Sequence, residues 1–236
     1  MTQCALLHSA MKRGFLVLLL FWVLSARADD GVIFFGNNLS GFRAPIYGPD
    51  PSNPTLSITG QSLLGSQIPG TLDGSNTQNY NGLLLQGSGY TFAIYAGPLS
   101  ANSNSLTLVA STVFRTATAD KLPAGLTFSR AVIVPGVQVG EQANYQIRVW
   151  DNQGGTLNDW ATVQAAWLSG ETAAGATPVV ASDPLGGYDS NGVPVIILRD
   201  NNWVSFNIYY IPEPEILAAL ALSAIGFIIG WKPRKP

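Results

Sequence analysis

Cysteine and histidine are nearly absent from this sequence, which has one residue of each among 236. A single cysteine cannot form an intramolecular disulfide, and a single histidine cannot build a multi-histidine metal site. Both residues, Cys4 and His8, precede a predicted cleavage site after Ala28. The mature chain would then contain neither, which excludes thiol nucleophiles, Ser-His-Asp triads and histidine ligands.

Charge is also scarce. Charged residues make up 11% of the chain and the net charge is -2, whereas about 25% is typical of soluble domains. Without a basic excess, a nucleic-acid partner is excluded. The chain is 47% hydrophobic and contains 25 glycines and 15 prolines. This composition is too apolar for disorder and favours a turn-rich β-protein.

Residues 1–28 are predicted to be a secretory signal peptide. Met11 is an alternative start, because it directly precedes two basic residues and the apolar run 15–24. That run is too short to span a bilayer, which needs about 20 apolar residues. Ala26 and Ala28 form the small-residue cleavage pattern that the Sec pathway uses. The pattern predicts export through the Sec translocon; a buried N-terminal helix is the alternative.

The C-terminal residues 212–236 fall into three parts. They are the motif Pro212, Glu213 and Pro214, the uncharged run 216–231, and a tail with Lys232, Arg234 and Lys235. The prolines exclude a helix through the motif. As a helix the apolar run would be roughly 24 Å long, and flanking Trp and Lys side chains can cover the remaining membrane thickness. The basic tail should stay cytoplasmic and stop translocation. The alternative is a core helix, which would carry polar positions on one face.

These three parts together resemble the PEP-CTERM sorting signal of Gram-negative bacteria. The resemblance implies processing by exosortase, a membrane-embedded transpeptidase that acts at or near the motif, in a host that makes extracellular polysaccharide. It also implies inner-membrane anchoring before processing and the cell surface or matrix afterwards. The middle of the chain is similar to exported PEP-CTERM proteins of Verrucomicrobia-like bacteria, a likeness that brings no activity with it. The segments that carry this second resemblance are 44–49, 95–98 and 148–155.

Residues 29–211 are predicted to be one exported all-β domain. Residues 143–149 alternate apolar and polar side chains and predict a half-buried strand, and 203–210 show the same pattern. Further strand candidates are separated by Gly, Asn and Pro turns, among them Pro135-Gly136. About eight strands at this spacing favour an antiparallel β-sandwich or jelly roll. A short helix capped by Asn158 is expected to place Trp160, Val163, Ala166 and Trp167 on one face.

The aromatic residues of the domain could form a platform on which sugars stack. Trp150 and Tyr95 are the best candidates for glycan contact, because the strand alternation places both on the outward side. The others in this set are Trp160, Trp167, Trp203, Tyr47 and Tyr80. Core or rim packing is the alternative for all of them. The scattered arginines, Arg148 included, are interpreted as solvated.

Two further chemistries have candidate residues. Weak calcium binding could use Asp151 and Asn152 in one loop and Asp189 and Asn191 in another; ordinary turn formation is the alternative. A jelly-roll glycoside hydrolase would need a carboxylate pair. The glutamates available within 29–211, Glu141 and Glu171, fall at a strand start and in a loop.

The sequence therefore predicts a non-enzymatic, exported surface or matrix protein of a biofilm or envelope, without a required cofactor. Its expected partners are the Sec translocon, exosortase and the inner membrane before processing, and extracellular polysaccharide is a further candidate. A carbohydrate-binding module is the alternative, and a glycoside hydrolase is less favoured.

Overall fold

The computed structural model describes residues 30–39, 42–60, 80–116, 124–195 and 204–212. Within them the chain is mostly β-strand with one short α-helix, which confirms the predicted all-β class. The strands are β1 (Asp30–Phe35), β2 (Asn38–Leu39), β3 (Phe42–Arg43), β4 (Ile46–Tyr47), β5 (Tyr90–Pro98), β6 (Thr107–Val113), β7 (Arg130–Gln138), β8 (Ala143–Asp151), β9 (Ala174–Ala176), β10 (Val180–Ala181), β11 (Gly187–Tyr188), β12 (Pro194–Val195) and β13 (Phe206–Asn207). The helix is α1 (Trp160–Leu168), and a 3₁₀ turn, Gln153–Gly155, precedes it.

The largest sheet has five strands. Its order is β10-β8-β5-β6, and β9 pairs with β8 beside β10. Strands β5 and β8 pair antiparallel along their whole length, from Tyr90 opposite Asp151 to Pro98 opposite Ala143. Both strands are rich in the aromatic and β-branched residues that fit a pleated surface. They are the two inner strands of the sheet.

Strands β1 and β7 form a second antiparallel pair, whose apolar side chains share one core with a face of the large sheet. Because side chains alternate along a strand, every second residue of β5 points into this core. Phe92 lies there between Phe35 and Phe114, with ring centroids 5.3 and 5.9 Å away. Such aromatic pairs contribute about 0.5–1.5 kcal/mol each beyond the burial of their area.

The predicted turn at Pro135-Gly136 is wrong, because both residues lie inside β7. The strand accommodates them as a bulge: the pairing with β1 shifts register between Asp30 and Val32, and Gly136 has a φ of 76°. Proline lacks an N–H and glycine tolerates positive φ, so this pair suits a bulge as well as a turn. The carboxylate of Asp30 accepts the amide N–H of Gly136 at 3.1 Å.

The prediction that β8 is half-buried is also wrong. Its second face carries Gln146, Arg148 and Trp150, and all three side chains are buried. A second apolar cluster covers this face, formed with residues of helix α1. Alternation identifies the two faces of a strand, but it does not reveal that another element covers the polar one.

Helix α1 begins one residue later than predicted. Its cap is Asp159, whose carboxylate accepts the Thr162 N–H at 3.0 Å and the Thr162 hydroxyl at 2.7 Å. Asn158 instead donates its side-chain amide to the carbonyl of Gly155. The predicted inward face of the helix is confirmed by its packing onto the second cluster. This face consists of Trp160, Val163, Ala166 and Trp167.

The last described segment, 204–212, pairs with strand β4 and bridges to strand β9. Strand β13 pairs in parallel with β4, so that Phe206 lies opposite Ile46, and Tyr209 bridges to Ala174 of β9. The predicted strand over 203–210 is therefore reduced to Phe206–Asn207 within the described residues.

Candidate functional site

An open cleft of about 460 Å³ lies on the second face of the large sheet, next to helix α1. We call it the aromatic cleft. The residues that line it and matter here are Tyr95, Gln146, Arg148, Trp160, Gln164 and Trp167. Binding pockets for small ligands commonly have volumes of about 300–1,000 Å³ and combine apolar walls with a few polar groups. The aromatic cleft has both features.

Two aromatic side chains come from helix α1. Trp160 and Trp167 are seven residues apart, which places them on the same helix face. Their ring centroids are 6.1 Å apart, and Trp167 meets Tyr209 edge-on at 5.1 Å. The indole N–H of Trp167 donates to the carbonyl of Tyr209 at 2.8 Å. Both indoles are partly exposed, so apolar ring surface is available beside polar side chains.

Two aromatic rings and several hydrogen bonds hold the side chain of Arg148 in place. Its guanidinium carbon lies 4.0 Å from the ring centroid of Tyr95 and 4.9 Å from that of Trp160. Its Nε donates to Oε1 of Gln146 at 2.8 Å, and Nη2 donates to the carbonyl of Ser103 at 2.6 Å. The side chain is only 4% exposed. The prediction that Arg148 is solvated is thus wrong, because α1 and the loop at Ser103 cover it.

The electrostatics of the cleft follow from this burial. Burial lowers the pKa of Arg148, because the charged guanidinium loses hydration. Burial also raises the pKa of Tyr95, while the nearby positive charge of Arg148 acts in the opposite direction. An arginine remains protonated in proteins and a tyrosine with a raised pKa remains neutral, so the pair carries one positive charge at neutral pH.

The two predicted glycan-contact residues have different surroundings. Tyr95 lines the cleft, although its side chain is only 7% exposed. Trp150 is 1% exposed, and its indole N–H donates to the carbonyl of Leu157 at 2.8 Å. This corrects the predicted outward position of Trp150, which packs behind Trp160 at 5.8 Å between ring centroids. Trp150 supports the cleft and presents no free ring face.

Sequence reasoning missed the polar part of the cleft. Gln146 and Arg148 share a strand face with Trp150, since residues two apart on a strand point the same way. The shared face of these three residues could be predicted from the sequence. The contributions of Ser103 and Gln164 could not, because the loop and the helix reach the strand only through tertiary packing.

The side chains of the candidate calcium loops form hydrogen bonds with backbone groups of turns. Asp151 accepts the amide N–H of Gln153, and Asn152 accepts that of Gly155 while its side-chain amide donates to the carbonyl of Ser88. In the second loop, Asp189 accepts the amides of Asn191 and Val193. Within the described residues no three or more His, Cys, Asp or Glu residues come together as metal ligands.

The next predicted site is the pair of glutamates considered for glycoside hydrolysis. Glu141 accepts the amide N–H of Gln138 in the turn between β7 and β8, and neither it nor Glu171 lines the aromatic cleft.

Pro212 is the last described residue of its segment and is partly buried. No helix in the described part of the chain is long and apolar enough to cross a membrane. The remaining predicted site residues, which are Ala26, Ala28, Glu213, Pro214, Lys232, Arg234 and Lys235, lie outside the described residues together with the run 216–231.

Comparison with known proteins gives no relative. The chain matches no protein-family model, and neither a curated protein nor a solved structure is significantly similar to it. The functional argument therefore rests on the sequence signals at the two ends and on the geometry of the aromatic cleft.

Proposed function

We propose that this chain is an exported, non-enzymatic cell-surface or extracellular-matrix protein with a PEP-CTERM-type sorting signal that exosortase processes. The observation that carries the proposal is the order of segments: the motif 212–214, the uncharged run 216–231 and the basic tail, with a signal-peptide pattern at the other end. Prolines disfavour a helix, which would keep the motif accessible to an active site. The apolar run would fix the depth of the motif at the outer face of the inner membrane.

For the domain between these signals we propose a β-sandwich or jelly-roll architecture. In support, β1 and β7 share an apolar core with one face of the five-stranded sheet. All pairings of the longer strands within the described residues are antiparallel. Such a domain can serve as a rigid display module outside the membrane.

The sorting proposal is tested by replacing Pro212, Glu213 and Pro214 together with alanine. We expect the wild-type chain to lose its tail and leave the inner membrane, and the variant to stay there at full length. Exosortase would recognise the motif, whereas the apolar run alone would retain the chain in the bilayer. A fractionation blot of the exported protein measures both size and location.

A variant with Lys232, Arg234 and Lys235 changed to alanine is the matched control, since it leaves the motif intact and weakens only the stop signal. If the wild type and the motif variant have the same size and occupy the same fraction, the segment is not a sorting signal and the apolar run is only an anchor.

A second function is supported by the aromatic cleft: carbohydrate binding. Sugars present apolar C–H faces that lie on aromatic rings, and their hydroxyls hydrogen-bond to amides and other polar groups. The partly exposed rings of Trp160 and Trp167 supply the first feature. Neutral polar side chains that line the cleft supply the second; these are Ser103, Asn104, Gln146 and Gln164. We infer that the domain holds matrix polysaccharide in this cleft.

Trp160→Ala tests this function. We expect the substitution to weaken retention of the detergent-solubilised full chain on a panel of immobilised polysaccharides by about tenfold or more, because stacking on one aromatic ring is removed. Gln164→Ala, an exposed change on the same helix, should weaken binding less and leave the fold intact. Tyr188→Ala replaces a 46% exposed tyrosine outside the cleft and should bind like wild type. Equal retention of all four proteins would exclude the cleft as the binding site.

A further inference from the structure

The buried positive charge in the aromatic cleft is unusual for this molecule. Of the arginines in the described residues, Arg148 alone is buried; Arg43 and Arg130 are exposed and Arg115 is partly exposed. Buried charges in proteins are normally paired with an opposite charge. The contacts of Arg148 within the described residues are with two aromatic rings, the Tyr95 hydroxyl, an amide oxygen and Ser103, and none is with a carboxylate.

The guanidinium also has unused hydrogen-bonding capacity. Arginine carries five N–H donors, and a carboxylate can accept two of them at once. The hydrogen bonds described for Arg148 use Nε and Nη2, and the Tyr95 hydroxyl is a further partner of the guanidinium. Within the described residues these contacts engage fewer than the five N–H donors. The position of the group is nevertheless fixed, so an incoming anion would meet a preorganised donor.

No acidic residue neutralises the charge from the cleft wall. Apart from Arg148, the polar side chains that line the cleft are neutral amides and hydroxyls, and no aspartate or glutamate is among the described lining residues. Asp159 acts on Tyr95 through its charge, but its carboxylate is exposed and engaged by Thr162 as the helix cap. Residues 29–211 carry twelve acidic and six basic residues. Attraction for an anion must therefore come from Arg148 itself.

We propose that the aromatic cleft binds an acidic saccharide, and that a carboxylate on the sugar pairs with the guanidinium of Arg148 while a ring lies on Trp160. This inference rests on the proposed carbohydrate binding and adds the charge of the ligand to it. The aromatic rings and neutral amides match the sugar, and Arg148, which has no carboxylate partner among the described residues, matches its carboxylate. A simple inorganic anion would use only the arginine.

The test compares two forms of one polymer. Polygalacturonate carries a carboxylate on every sugar, and its methyl ester has the same backbone without the charge. With the full chain in detergent, we expect tryptophan fluorescence titration to give binding of the acid about tenfold or more tighter than of the ester. Added salt should weaken binding of the acid and leave binding of the ester nearly unchanged.

Variants assign the preference to the arginine. Arg148→Gln should bind acid and ester equally, whereas Arg130→Gln, which changes an exposed arginine outside the cleft, should keep the wild-type preference. If Arg148→Gln does not fold, Arg148→Lys keeps the charge but loses the planar fork, and it should retain only part of the preference. The comparison of acid with ester on the wild type decides the proposal even if neither variant folds.

The outcomes distinguish the acidic-saccharide proposal from the carbohydrate-binding proposal on which it rests. Equal binding of acid and ester, or binding of neutral polysaccharides only, would overturn the acidic ligand and leave carbohydrate binding in place. Binding of no saccharide would overturn both. Binding of dextran sulfate as tight as that of polygalacturonate would show attraction to any polyanion and overturn recognition of the carboxylate.

Discussion

At the scale of single residues, the hydroxyl of Tyr80 joins three parts of the chain. It donates to the carbonyl of Gly48 at 2.7 Å and accepts the side-chain N–H of Asn207 at 2.8 Å. Asn207 in turn donates to the carbonyl of Leu56 and accepts the N–H of Ile58. Buried polar groups satisfied in this way fix one arrangement of loops that have little regular structure of their own.

Burial raises the pKa of Tyr80 to about 12, above its usual value of 10.0. The unfolded chain therefore releases this proton at a lower pH than the folded chain does. The free energy of unfolding should fall as pH rises from 10.0 towards 12, since deprotonation then favours the unfolded state. Tyr80→Phe should remove part of that fall, and it should destabilise the protein at pH 8 by about 1–3 kcal/mol through the partners left unsatisfied.

Urea denaturation at several pH values measures both effects. Tyr90 and Tyr95 also have raised pKa values through burial, so a smaller fall should remain in the variant. Tyr188→Phe alters an exposed ring and should keep wild-type stability at pH 8. An unchanged pH dependence in Tyr80→Phe would contradict the assignment.

At the scale of elements, helix α1 is short and depends on its surroundings. It has nine residues, and Val163 is its fully buried position. Isolated helices of this length are unstable in water, so packing and the cap must hold it. The helix matters because Trp160, at its first position, forms one wall of the aromatic cleft.

Asp159→Ala should lower the melting temperature, because the first-turn N–H of Thr162 loses its acceptor. Asp159→Asn should retain most of the stability, since asparagine also caps helices. The hydrogen bonds from Thr162 lower the pKa of Asp159 from its usual 3.8. The charged cap therefore stabilises the fold above about pH 4, and that contribution is lost as pH falls through the lowered pKa.

Thermal melts followed by circular dichroism at pH 7 and pH 3 would test the cap. The difference between wild type and Asp159→Ala should shrink at the lower pH. Gln164→Ala lies on the exposed face of the same helix and should melt at or slightly above the wild-type temperature. A melting temperature of Asp159→Ala equal to that of wild type would show that packing alone holds the helix.

At the scale of the whole molecule, the central sheet is covered on both faces. One face packs with the β1 and β7 pair, and the other packs with helix α1. The aromatic cleft lies on the second face, where β5, β8, α1 and the loop at Ser103 meet. Residues far apart in sequence thus form a single surface, which the proposed export and anchoring would present outside the cell.

The sequence by itself determined the all-β class of the domain, and it carries the terminal patterns on which the sorting proposal rests. Period-two alternation and turn residues predict strands locally, and the strand predicted over 143–149 is found as β8 of the large sheet. The inward face of α1 was also predictable, because helical spacing is a local property. The predicted signal peptide and the proposed sorting motif are linear patterns, which are identified without reference to a fold.

Only the tertiary structure decided which residues form the site. Alternation placed Trp150 and Arg148 on the outward face of β8, yet α1 covers that face and buries both. Their roles separate through packing: Trp150 supports the cleft from behind, and Arg148 lines it beside Tyr95. Local periodicity fixes the direction of a side chain, whereas the covering element comes from a distant part of the chain and leaves no periodic mark on the strand.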